Sequence, residues 1–130
     1  MRPALLALCS TLLFPLPGSA STDDGEEVFP QQINARKLMT FCASSALTAK
    51  GRSQRRYCDG FVSGVEEGIR LRKFAHPANS DVDVAFCVPA GTSSRALSEA
   101  FVRHATSKGV DLEQPAAAVV LEALQNRFAC

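Results

Sequence analysis

Residues Tyr57–Gly68 read YCDGFVSGVEEG. Tyr57, Cys58, Phe61, Val62, Val65 and Ile69 recur at helical spacing, which predicts an amphipathic helix from about Ser53 to about Arg72. Gly60, Gly64 and Gly68 recur every fourth residue through that same helix. Each glycine costs a helix interior about 1 kcal/mol relative to alanine, so the row costs up to about 3 kcal/mol. Residues four apart share a stripe, and a stripe without side chains lets a neighbouring backbone approach closely. The row therefore reads as a packing device against a neighbouring helix. It does not read as a phosphate cradle, whose glycines precede a helix rather than run through it.

Outward from this helix the chain is punctuated by caps and breakers. Upstream, Asn34 is placed to cap a helix whose face is Leu38, Phe41, Cys42 and Ser45 and which fades near Lys50-Gly51. Downstream, Pro77, Asn79 and Ser80 enforce a loop. Ser80–Cys87 alternates like a short strand but finds no partner strand, so it reads as an extended connector. Thr92 or Ser93 caps a third helix with inner residues Leu97, Ala100, Phe101 and Ala105, stopped by Ser107-Lys108-Gly109. Asp111 and Gln114 resemble a capping box. They introduce a fourth helix that presents Ala116, Val119, Val120, Ala123, Leu124 and Phe128. The expected fold is all-α, a small domain of four to five helices over residues 33–130.

The first twenty residues read as a secretory signal peptide. Arg2 supplies the positive start, Ala4–Leu16 is almost wholly apolar, and Gly18-Ser19-Ala20 offers small residues for cleavage. The apolar run is short for a membrane span, so no anchor is expected after cleavage. Residues 21–32 open with the acidic STDDGEE and read as a flexible mature N-terminus. Of 14 basic residues one is Arg2, so the mature chain carries 13 basic and 13 acidic side chains. That balance offers no electrostatic case for nucleic acid.

Beyond the signal segment four cysteines remain, Cys42, Cys58, Cys87 and Cys130. An even set in a small exported domain implies two disulfides. A zinc site is disfavoured because no CxxC pair exists and both histidines lie far from any cysteine in sequence. The favoured pairing is Cys58–Cys87 with Cys42–Cys130, on the view that the loop after the glycine helix returns Cys87 to its start. The alternative joins Cys42 to Cys58 across the hairpin of the first two helices.

No reactive constellation stands out. GxSxG, HExxH and P-loop patterns are absent. His104 reads as a residue of a solvated helix face and His76 as a loop residue beside Pro77. Glu66 and Glu67, adjacent on a helix, point about 100° apart and make a poor acid–base couple. Asn79, Asp81 and Asp83 alternate as in a calcium loop but lack its glycine and closing glutamate. Neither catalytic residues nor a metal or cofactor is expected.

The ordered set of features goes further than any one motif. It runs Leu38-Met39-Thr40-Phe41-Cys42, then Tyr57-Cys58-Asp59-Gly60-Phe61-Val62-Ser63-Gly64, then Phe86-Cys87-Val88-Pro89, and closes with Phe128-Ala129-Cys130. This resembles the Rap/Tai family of type VI secretion amidase-immunity proteins. Ala129 stands where that family has a proline before the last cysteine, and His104-Ala105 replaces a His-Pro step. The resemblance implies a periplasmic, non-enzymatic homodimer that blocks a peptidoglycan amidase effector by steric occlusion. The rival readings are a small periplasmic acid-stress chaperone and another secreted helical binding protein. Asp81, Asp83 and Lys108, charged residues of loops expected to be exposed, are the candidates for toxin contact.

Overall fold

The computed structural model describes residues 32–75 and 86–130. The expected signal peptide, the acidic segment up to residue 31, and His76, Asn79, Asp81 and Asp83 lie outside the described residues. Four helices follow in order: α1 Ala35–Cys42, α2 Ala49–Ala75, α3 Ser94–Ala105 and α4 Ala116–Arg127. The fold is all-α, with two disulfides.

Caps fix three of the four helix starts. The Asn34 side chain accepts from the Lys37 amide at 2.9 Å, and the Ser93 hydroxyl accepts from the Ala96 amide at 3.2 Å. Thr48 does the same for α2, its hydroxyl accepting from the Gly51 amide at 3.0 Å. The start of α4 is held differently. Pro115 occupies the cap position and makes no side-chain cap. Asp111 instead accepts from the Glu113 amide at 3.0 Å, so the expected capping box with Gln114 does not form. The chain before α4 is laced to the start of α1. Ala35 and Arg36 donate their amides to the Gln114 and Leu112 carbonyls, and Ala116 donates to Ile33. These bonds use amides that a helix start leaves without internal partners.

The first two boundaries differ from the sequence expectation. α1 ends at Cys42 rather than near Gly51, and α2 begins at Ala49 and runs through Lys73 to Ala75. The break falls in a run of hydroxyl side chains, which offer the backbone alternatives to helix. Ser44 donates to the Thr40 carbonyl, and the Ser45 hydroxyl accepts from the Leu47 amide. Gly51 is thereby part of the second helix, not the end of the first.

The core is formed by Leu38 and Phe41 of α1, Cys58 and Val62 of α2, Phe101 of α3, and Val119, Val120 and Leu124 of α4, all fully buried. Every helix packs on every other. The expected inner faces of α3 and α4 are buried, apart from Phe128, which is half-buried. Phe41 and Tyr57 meet edge to face at 5.5 Å, and Tyr57 stacks on Phe61 at 6.1 Å.

Both disulfides differ from the favoured pairing. Cys42 joins Cys58, the alternative noted above, with Cα atoms 5.2 Å apart, and Cys87 joins Cys130 at 5.0 Å. Cys42 ends α1 and Cys58 faces it across the α1–α2 hairpin. Cys87 does not return to the start of α2. It lies with Phe86 and Val88 beside Glu66, Ile69 and Lys73, further along that helix. There Phe86 bridges to Ala129, and the Cys87 amide donates to the Phe128 carbonyl at 2.7 Å. That pairing brings Cys87 alongside Cys130. Phe86 and Cys87, the described end of the connector, thus pair with Phe128 and Ala129.

Candidate functional site

α2 has two unlike sides. Cys58, Val62 and Glu66 are buried against the bundle. Gly60, Gly64 and Gly68 are exposed, and a Cβ added at any of them would meet no atom within 4 Å. Among the described residues no neighbouring helix sits on the glycine row, so the packing role expected for it is corrected for α1, α3 and α4. The four-residue spacing was legible in the sequence, but the apolar residues that flank it lie on the other side of the helix. Gly51 is the glycine that packs tightly, because a Cβ there would collide with the Ser45 carbonyl and with the Thr48 hydroxyl.

Beside the glycine row, Leu71 is 65% and Phe74 86% exposed. With Gly64, Gly68, Glu67 and Arg70 they line an open depression of about 560 Å³. Arg70 bridges Glu66 at 3.8 Å and Glu67 at 3.7 Å. α2 carries seven basic and three acidic side chains, a formal excess of four positive charges. Charge is thus concentrated on the helix that also shows the largest exposed apolar side chains near one another.

The remaining sequence candidates are dispersed. Lys108 is exposed in the turn after α3, which closes with Gly109 at φ 89°. Asp81 and Asp83 lie outside the described residues. His104 is not on a solvated face, since its side chain is only 16% exposed. Asn126 Nδ2 stands 3.3 Å from its Nδ1, and Glu122 Oε2 stands 3.4 Å from its Nε2. Both ring nitrogens thus face hydrogen-bonding groups of α4. The imidazole is a strut between α3 and α4. Sequence reasoning missed it because both partners lie on another helix. Among the described residues no group of three histidine, cysteine or acidic side chains is arranged to hold a metal ion, and no helix is long and apolar enough to cross a membrane.

The model of the Rap1a immunity proteins matches residues 34–130, which include all four helices and both disulfides. The chain belongs to the Rap1a immunity protein family. No curated protein and no solved structure matches it. Membership makes this an immunity protein directed at a secreted effector. For such a protein the functional site is a binding surface, and the exposed side of α2 and the turn at Lys108 are two of the surfaces the described residues offer.

Proposed function

We propose that the protein is exported to the periplasm, loses residues 1–20, and there binds a type VI secretion peptidoglycan amidase and inhibits it by covering its active-site cleft. The observation that carries this reading is the family match over residues 34–130. Two disulfides support an oxidising compartment. They also stiffen the frame, which lowers the ordering cost of binding. The resemblance to amidase-immunity proteins supports the amidase as target and a homodimer as the working form. Asp81, Asp83 and Lys108 are the proposed loop contacts.

The test begins at the neighbouring reading frame. A secreted cysteine–histidine amidase encoded there is purified and titrated with the mature chain, and peptidoglycan hydrolysis is followed. Hydrolysis falls to background near equimolar inhibitor. Undiminished hydrolysis at a large excess of folded inhibitor sinks the reading. Joint charge reversal of Asp81, Asp83 and Lys108 leaves the circular dichroism spectrum unchanged and weakens inhibition.

A further inference from the structure

Arg52, Arg56, Gly60, Gly64, Gly68 and Arg72 follow one another at every fourth residue of α2, and all six are exposed. On an ordinary helix such a row is a ridge of side chains that packs into a neighbour's groove. Here the three middle positions have no side chains, and none of the described residues fills the space above them. The ridge has become a trough floored by backbone. From Arg56 to Arg72 it runs about 24 Å. Leu71 and Phe74 stand exposed beside its C-terminal half. Among the described residues none of its arginines forms an ion pair.

We propose, resting on the immunity reading above, that this face of α2 docks a helix of the effector whose acidic side chains flank an apolar stretch. A helix is the occupant because a missing row of side chains accepts the ridge of a second helix, and bare glycines let its backbone come close. Acidic flanks follow from the arginines at the two ends and from the excess of four positive charges on α2. The apolar stretch follows from Leu71 and Phe74, which no other described residue covers. The same charges oppose a second copy of this chain. Two α2 helices crossing antiparallel at Gly64 bring Arg56 of each onto Arg72 of the other, and a parallel pair sets each arginine against its twin.

The test uses the full mature chain and the purified amidase of the adjacent reading frame. Gly64→Leu fills the trough, and Arg56→Glu with Arg72→Glu reverses its ends. Gly64→Leu raises the Kd for the amidase by about 30-fold or more, the size of a central interface residue. The paired reversal slows association and flattens its dependence on salt. Neither lowers the Tm of the free protein. Parent-like amidase binding by both variants, with the parent still inhibiting, overturns the docking face and leaves the immunity function standing. A parent that does not bind the amidase overturns both. A lowered Tm of the free Gly64→Leu chain places a segment of this chain on the face. Sedimentation showing a parent dimer turned monomer by Gly64→Leu places a second copy there. Either result overturns the proposal.

Discussion

Gly51 and Gly64 lie on one helix and have opposite reasons to be glycine. At Gly51 the chain has just turned out of the α1–α2 connection, and the Ser45 carbonyl occupies the space a Cβ would need. At Gly64 the space is open to solvent. The first glycine is required by the fold of this chain. The second, with Gly60 and Gly68, costs α2 up to about 3 kcal/mol of helix propensity that no contact among the described residues offsets. The difference teaches that a glycine's meaning lies in what stands over it. The two faces of α2 sharpen the point, since the side carrying Cys58 and Val62 is built for the bundle and the side carrying the glycines is not.

The comparison breaks most visibly on the buried face. Val62 is fully buried, so Val62→Asp places an unpaired carboxylate in the core and costs at least about 4 kcal/mol. Circular dichroism at neutral pH reads this as a chain largely unfolded near ambient temperature, and a cooperative melt close to that of the parent contradicts the placement of α2. Next is the staple between α1 and the buried face. Cys42→Ala with Cys58→Ala opens a link of sequence separation 16 and lowers stability by about 3 kcal/mol. Urea titration measures it, and peptide mapping without reductant recovers Cys42 linked to Cys58 from the parent.

The two glycines then give effects of opposite sign. Gly51→Ala forces the Ser45 carbonyl aside and lowers stability by about 1–2 kcal/mol despite its gain in helix propensity. Gly64→Ala meets nothing and raises stability by about 0.5–1 kcal/mol. Thermal melts of the two variants, run side by side, decide the matter. Shifts of the same sign would erase the distinction between the two positions.

Much of the fold was legible in the sequence because it is local. The Asn34 and Ser93 caps act within three residues of themselves, and the periodic faces of α3 and α4 are properties of single helices. The candidate binding surface was legible only in part. The glycine row was visible as a pattern, but its outward direction depends on which side of α2 the other helices cover. The turn at Lys108 followed from Gly109. His104 was misjudged because its partners, Glu122 and Asn126, belong to α4 and leave no mark near position 104.

The sequence by itself determined four helical segments and their apolar stripes, because spacing along one helix maps directly onto its surface, and it offered an even set of four cysteines beyond residue 20. The tertiary structure alone decided which cysteines meet and what faces the glycines. A helix of 27 residues is about 40 Å long, so a connector leaving its far end cannot be placed against its start by counting residues. Cys87 meets Cys130 because the Phe86–Ala129 pairing brings the two chain segments side by side, and Gly60, Gly64 and Gly68 face solvent because α1, α3 and α4 occupy the opposite side of α2.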